Sequence, residues 1–337
     1  MKQLLAILLI AAIAATLLPI SVEASQTGIQ LVADGVLEAG SIRNLHVWKD
    51  PSRTPMLSIC FSPYVDGLNP EYESPVSMDE IRRQLDLIRP YADTIRLFGV
   101  SGELAKAYKI AKEEYDFRII GGCWIDGRYS EAGIRSELDA LIEMCNSGYV
   151  DIAVVGSETI YRNDFTVGTL IEYIEYVRSG ITNKSIPVTT SDTASSFFGN
   201  PTLGAACDTI LVTIYPFFEH VPIENAVQSI KDTYDAIKSL AGDKPVIVSE
   251  TGWPAGSDNS EQQYASDENA RIYVNGVYEW SRKGTEVIFF SSIDEQWKHE
   301  PTVYGDVGKN WGHFTSDGKL KPAFHEIYQY IAAMDRK

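Results

Sequence analysis

The chain has 337 residues and a formal net charge of −17, from 29 Lys and Arg against 46 Asp and Glu. This length suits one large barrel or two ordinary domains, and it can bury a sizeable core without disulfide staples. The acidic charge repels phosphate backbones and anionic lipid, so it disfavours nucleic-acid and membrane partners and is compatible with a neutral polysaccharide.

Residues 1–24 are typical of a secretory signal peptide. Lys2 precedes an apolar run over 4–20, and Val22 and Ala24 are the small residues of a cleavage site. The run is short and contains Pro19, which disfavours the alternative of a membrane anchor. We therefore expect a secreted chain that has no membrane anchor after cleavage. Residues 25–55 are polar and irregular, and we interpret them as an N-terminal extension of a single domain over 56–337.

The cysteines and histidines give no metal-binding pattern. None of the cysteines forms a CxxC pair, and no two histidines have ligand spacing, so a metal site is not expected. In a secreted protein the cysteines can make zero, one or two disulfides, and the sequence leaves the pairing open. The four are Cys60, Cys123, Cys145 and Cys207.

From Met56 onward, short apolar runs alternate with longer amphipathic stretches. Most of the short runs are almost continuously apolar and become polar or aromatic at the carboxyl end, which is typical of buried parallel strands. The predicted strands are 57–64, 94–100, 118–125, 151–158, 187–192, 209–217, 245–253 and 287–295.

The amphipathic stretches predict helices, as over 79–92, where Ile81, Leu85 and Ile88 recur at helical spacing. Eight strands with intervening helices predict an α/β fold of the (β/α)₈ TIM-barrel type. The alternative is a doubly wound open sheet, but its glycine-rich phosphate loop is missing after the first strand. The other predicted helices are 136–148, 167–180, 223–240 and 266–283.

Two glutamates end predicted strands. Glu158 follows the fourth strand and Glu250 lies near the end of the seventh, so the barrel would bring both to one mouth. A carboxylate at the end of a buried strand is costly unless partners stabilise it, which favours a functional role. Two facing carboxyl groups suit glycosidic cleavage, in which one protonates the departing oxygen and the other attacks the anomeric carbon.

The sequence around these glutamates resembles glycoside hydrolase family 17, the β-1,3-glucanase family. Residues 246–257 read Val-Ile-Val-Ser-Glu-Thr-Gly-Trp-Pro-Ala-Gly-Ser and resemble its signature, which implies that Glu250 is the nucleophile. Residues 155–158 read Val-Gly-Ser-Glu and resemble the family's Val-Gly-Asn-Glu, which implies that Glu158 is the acid/base. Ser157 replaces an asparagine that contacts the sugar 2-hydroxyl, so slower hydrolysis or an altered −1 subsite is expected.

Further segments resemble the bacterial-type branch of the family, including 62–70, 94–98 and the Asp-Glu-Gln-Trp-Lys run at 294–298. The resemblance spans about residues 56–325 and makes 56–337 the catalytic domain. It implies a (β/α)₈ barrel, a retaining double displacement and no metal or organic cofactor. We expect a monomeric hydrolase of β-1,3-glucan that is extracellular, periplasmic or cell-wall associated. A β-1,3-glucanosyltransferase and a carbohydrate-binding barrel with little activity remain alternatives.

Eight further residues are candidates for substrate binding or for support of the carboxylates. Tyr215 lies at the end of the sixth strand, where its hydroxyl could hold the nucleophile ionised. Arg96 lies mid-strand and needs a buried acid, so it could orient a carboxylate from below. Tryptophan faces stack on sugars, and a Glu–Lys pair can position hydroxyls or form a plain salt bridge. The full set is Tyr64, Arg96, Asp192, Tyr215, Trp253, Glu295, Trp297 and Lys298.

Overall fold

Eight parallel strands close into a barrel in chain order, and the last strand pairs with the first. The strands are Leu57–Cys60 (β1), Ala92–Leu97 (β2), Arg118–Cys123 (β3), Ile152–Ser157 (β4), Val188–Thr193 (β5), Ile210–Thr213 (β6), Val246–Thr251 (β7) and Glu286–Phe289 (β8). This closure confirms the predicted (β/α)₈ TIM barrel, because an open doubly wound sheet would leave two edges.

The computed structural model describes residues 56–65, 67–72, 74–257, 264–298 and 305–334. The predicted signal peptide at 1–24 and the N-terminal extension at 25–55 lie outside the described residues. They therefore stay predictions.

Helices surround the barrel. The α-helices are Met78–Ile88 (α1), Glu103–Glu113 (α2), Glu131–Asn146 (α3), Val167–Gly180 (α4), Ala194–Gly199 (α5), Pro201–Ala206 (α6), Ile223–Ala241 (α7), Asp267–Ser281 (α8) and His325–Met334 (α9). Short 3₁₀ helices lie at Pro70–Tyr72, Gln296–Lys298, Gly305–Lys309 and Pro322–Phe324. Helix α1 begins where the Ser77 hydroxyl accepts the Glu80 N–H at 3.0 Å, and it buries Ile81, Leu85 and Ile88.

Two apolar clusters hold the barrel together. The larger lies between the strands and the helices, and the smaller consists of strand side chains inside the barrel. The smaller cluster contains Cys60, Ile120, Ile152, Val154, Leu211, Ile247 and Ile288. Phe98 and Phe290, which directly follow β2 and β8, pack against this cluster at the carboxyl ends of those strands.

The four cysteines are buried free thiols, although the sequence left disulfides open. Burial raises the pKa of each thiol above its usual range. Buried neutral thiols pack as small apolar groups, which is how Cys60 and Cys123 serve within β1 and β3.

Candidate active site

Glu250 lies in β7 and has hydrogen-bond donors on both carboxylate oxygens. Arg96 Nη1 donates to Oε1 at 2.6 Å, and the Tyr215 hydroxyl donates to Oε2 at 3.0 Å. The Ser157 hydroxyl lies 3.4 Å from Oε1. Donors on both oxygens and an adjacent cation hold this carboxylate in place, as a positioned nucleophile requires.

Arg96 lies in β2 below the mouth, with only 1% of its surface exposed. Its Nη1 also donates to the Ser249 carbonyl at 2.9 Å, and its Nη2 donates to the Ser157 hydroxyl at 3.0 Å. The guanidinium lies over the Phe98 ring, 4.5 Å from the centroid. A buried cation needs several such partners to offset its lost hydration, and together they fix Glu250 from below.

Tyr215 follows β6 and reaches Glu250 because aromatic neighbours hold its ring. Phe218 and Phe290 meet the ring edge-to-face, with centroids 5.6 and 6.2 Å away, and Trp311 lies at 5.4 Å. Burial, followed by the Glu250 charge, raises the pKa of Tyr215 well above its usual value. The phenol therefore stays protonated and acts as a hydrogen-bond donor.

Glu158 follows β4 and has the electrostatics of a proton donor. Burial and the nearby charge of Glu250 raise its pKa to about 7. The Thr213 hydroxyl donates to Oε1 at 2.9 Å, and Thr213 is the cross-strand partner of Glu250. The two carboxyl groups therefore occupy one site. The pKa of Glu158 is raised towards neutral pH, whereas Glu250 is held by the guanidinium of Arg96.

The backbone at Glu158 is left-handed, with φ at 56°. Such a conformation is unfavourable for a side chain with a Cβ and marks a position that its surroundings impose. Two residues earlier, Gly156 has φ at 72°, and a Cβ there would lie 2.7 Å from the Thr159 methyl carbon. The glycine before Ser157-Glu158 is thus required by the turn that presents the acid.

The Gly252-Trp253 pair of the 246–257 motif has a packing role. A Cβ on Gly252 would lie 2.3 Å from the Phe290 carbonyl oxygen, so only glycine fits. Trp253 is 1% exposed and donates its indole N–H to the Tyr264 carbonyl at 2.7 Å. Because Phe217 and other aromatic rings cover it, Trp253 has no free face for a sugar. This placement corrects the expectation that Trp253 stacks on substrate.

The segment after β8 contains the predicted Glu–Lys pair. Glu295 is 4% exposed and accepts hydrogen bonds from Lys298 and, at 3.0 Å, from the Trp297 indole N–H. The Lys298 ammonium lies over the Phe290 ring, 4.5 Å from the centroid. Phe290 also contacts the Tyr215 ring, so this pair and half-buried Trp297 border the same mouth.

Asp192 does not offer its carboxylate to the cleft. It is 0% exposed, and its oxygens accept the backbone N–H groups of Ile160 at 2.9 Å, Tyr161 at 3.3 Å and Thr193 at 2.8 Å. This placement corrects the expectation that Asp192 binds substrate. Tyr64, another predicted contact, is buried in the segment after β1.

Two polar side chains at the site carry no strong sequence signal. Thr213 is a threonine at the end of an apolar strand, where β-branched residues are common anyway. Ser157 replaces an asparagine in the matched motif, and its hydroxyl joins Arg96 to Glu250. Among the described residues, no group of three His, Cys, Asp or Glu side chains is arranged to hold a metal ion. No helix in that part of the chain is long and apolar enough to cross a membrane.

Comparison with protein-family models matches residues 58–312 to the BtgE/BtgC glycoside hydrolase domain. The chain belongs to this glycoside hydrolase family. This confirms that it is a glycoside hydrolase, with a likeness to family 17. The matched span contains both carboxyl groups and runs from within β1 to beyond the end of β8.

The curated relatives of this BtgE/BtgC-family chain include several fungal proteins. A glucan 1,3-β-glucosidase of Saccharomyces cerevisiae is 28% identical, over 73% of this chain and 84% of the relative. A probable glucan endo-1,3-β-glucosidase btgC of Aspergillus fumigatus is also 28% identical, over 74% of this chain, which spans only 40% of that relative. The expected bacterial-type branch is therefore not supported.

Solved structures give the same family-17 likeness. A Rhizomucor miehei β-1,3-glucanosyltransferase, solved as an active-site mutant with laminaritriose, has a TM-score of 0.68 and 27% identity. The match covers 80% of this chain and 96% of that one. An endo-laminarinase from Formosa has a TM-score of 0.72 at 18% identity over 82% of this chain and 87% of its own, and supports the fold alone.

Proposed function

We propose that this chain hydrolyses β-1,3-glucosidic linkages by a retaining double displacement. The observation that carries the proposal is the contrast between the two carboxyl groups. Glu250 is held by Arg96 and Tyr215, whereas burial and the charge of Glu250 raise the pKa of Glu158 to about 7. One group is thus suited to attack and the other to protonate. The β-1,3-glucan substrate is inferred from the fungal relatives, which are named as glucan 1,3-β-glucosidase and glucan endo-1,3-β-glucosidase.

The two steps use the same residues in turn. A Glu250 oxygen bonds to the anomeric carbon as the glycosidic C–O bond breaks, and the Glu158 proton passes to the departing oxygen. Glu158, now ionised, then takes a proton from the incoming acceptor, whose oxygen displaces Glu250 from the anomeric carbon. Two inversions give net retention, and Glu158 recovers its proton.

Azide rescue tests both roles. With dinitrophenyl β-laminaribioside as donor, Glu250→Ala should give the α-glycosyl azide, because azide attacks directly. Glu158→Ala should give the β-glycosyl azide, because azide replaces the acceptor in the second step. On laminarin both variants should lose activity, whereas Glu143→Ala, on the exposed face of α3, should keep it. Wild-type rates in both active-site variants, or exchanged anomers, would overturn the assignment.

A β-1,3-glucanosyltransferase is the second candidate, favoured by the Rhizomucor miehei enzymes at 27% and 28% identity. Transfer differs from hydrolysis only in the acceptor of the second step. Mass analysis after incubation with laminari-oligosaccharides separates them, because transfer gives products longer than the substrate.

A carbohydrate-binding barrel with little catalysis is the third candidate, and Ser157 is its support. The paired environments of Glu158 and Glu250 argue against it, since binding alone requires no proton donor near neutral pH. Laminarin binding without turnover would favour this candidate.

The predicted signal peptide supports action outside the cell, and N-terminal sequencing of secreted protein tests cleavage after Ala24.

A further inference from the structure

The turn that carries Glu158 is held from two sides by residues that the catalytic scheme does not use. Glu158 has a left-handed backbone, and its N–H donates to the Ser191 carbonyl at 2.7 Å. Its own carbonyl accepts the Arg162 N–H at 2.8 Å. The direction of the acid side chain therefore depends on whatever fixes residues 157–162.

Asp192 holds the side of this turn that faces β5. Its buried carboxylate accepts the N–H groups of Ile160 and Tyr161, two and three residues after Glu158. It also accepts the N–H of Thr193, so the turn is tied to the end of β5. A fully buried carboxylate is costly to maintain, and here its donors are the amides that set the course of the chain after the acid.

Arg162 holds the other side. Its Nη1 donates to the Ser157 carbonyl, directly before Glu158, and its Nη2 donates to the Ile125 carbonyl at 3.2 Å. Asp164 accepts its Nε at 2.8 Å, and the guanidinium lies over the Trp124 ring, 4.6 Å from the centroid. The side chain thus joins the end of β4 to the segment after β3.

We propose that Asp192 and Arg162 are positioning residues for the acid/base, fixing the strained turn that aims the Glu158 carboxyl at the departing oxygen. The inference rests on the proposed retaining mechanism and deepens it. Neither residue needs to touch the substrate. Their effect should be confined to the proton transfers made by Glu158 and should leave nucleophilic attack by Glu250 intact.

Leaving-group dependence tests this role. Laminarin needs a proton on its departing oxygen, whereas dinitrophenolate leaves without one. In Asp192→Asn and Arg162→Met, kcat on laminarin should fall about 10- to 100-fold, the range for a catalytic group displaced by about 1 Å. For dinitrophenyl β-laminaribioside, kcat/KM should fall less than about 3-fold, because that step does not require general acid catalysis.

Asp208→Asn is the matched control. Asp208 accepts the Val188 N–H at 2.8 Å, so it holds the opposite end of β5 from Asp192. Its variant should match the wild type on both substrates. If Asp192→Asn does not fold, Arg162→Met carries the same comparison, because that side chain is partly exposed at the rim.

The pH profile is a second readout. The charged or titratable groups that face Glu158 are Glu250 on β7, Arg96 on β2, Asp192 on β5 and Tyr215 after β6. Asp192→Asn removes one negative charge near Glu158, which lowers the pKa of the acid. The alkaline limb of the pH profile of kcat/KM on laminarin should therefore move to lower pH. An unmoved limb would contradict the close approach of the Asp192 charge to Glu158.

Equal losses on both substrates, or no loss on laminarin, would overturn the positioning role while leaving the proposed function standing. If the wild-type enzyme cleaves neither substrate, the proposed function falls and the positioning role falls with it.

Discussion

The hydrogen bond from Thr213 to Glu158 gives a sharp test of how the acid is tuned. The Thr213 hydroxyl donates to Oε1 at 2.9 Å, and this bond is stronger for the ionised carboxylate than for the neutral acid. Replacing Thr213 with valine keeps the shape and removes the donor. The ionised form then loses stabilisation and the pKa of Glu158 rises above its present value of about 7.

The size of the effect follows from the bond. A hydrogen bond to a charged group is worth about 1.5–3 kcal/mol, and about 1.36 kcal/mol corresponds to one pH unit. Thr213→Val should therefore move the alkaline limb of kcat/KM on laminarin upward by about one pH unit, or two at most. The limb moves upward because Glu158 must be protonated for the first step and now keeps its proton to higher pH.

The assay is the initial rate of reducing-sugar release from laminarin at low substrate concentration, across neutral and alkaline pH. Thr213→Ser is the control, since it keeps the hydroxyl and should leave the limb within error of the wild type. An unchanged or lowered limb in Thr213→Val would refute the tuning role of this bond. So would an equal upward movement in both variants.

Three further outcomes follow from contacts at the mouth and below it. Tyr215→Phe removes the donor to Glu250 Oε2 and should lower kcat on laminarin about 10-fold or more with little change in KM, as steady-state kinetics would show. Arg96→Met leaves Glu250 without its buried cation and should lower the free energy of unfolding by about 3–5 kcal/mol, measured by urea titration; Arg96→Lys should lose less. Lys321→Met leaves buried Asp294 without its ammonium partner, which lies 2.6 Å from Oδ1, and should lower the melting temperature with a similar loss of stability. Lys319→Met, at an exposed lysine, should leave the melting temperature unchanged.

The barrel could be predicted because parallel strands buried on both sides leave a strong sequence pattern. The strand ends could not: the first run was expected to reach residue 64 and the sixth to reach 217, but β1 ends at Cys60 and β6 at Thr213. The loops that contain Tyr64 and Phe217 are themselves buried, so their aromatic residues extend the apolar runs beyond the true ends of the strands. Helix α2 is absent from the predicted helices. Its N-cap residue is Gly102, which has no side chain to cap the helix, so the usual sequence signal for a helix start is missing.

At the site, sequence reasoning could select Glu158 and Glu250 because charged residues at the ends of apolar runs are conspicuous. It could not separate side chains that border the cleft from those that support it. Asp192 and Trp253 lie in the expected region, but their polar atoms are taken by backbone groups. Thr213 matters only through a contact with a residue 55 positions away, which no local pattern encodes.

The left-handed backbone at Glu158 sets the stability of the fold against its activity. A residue with a Cβ in this conformation carries a penalty of about 1–3 kcal/mol, from which glycine is exempt. A Glu158→Gly chain should therefore be inactive and yet unfold at a higher temperature than the wild type. Selection for thermal stability alone would then favour glycine at this position, so a glutamate kept there indicates selection for catalytic activity.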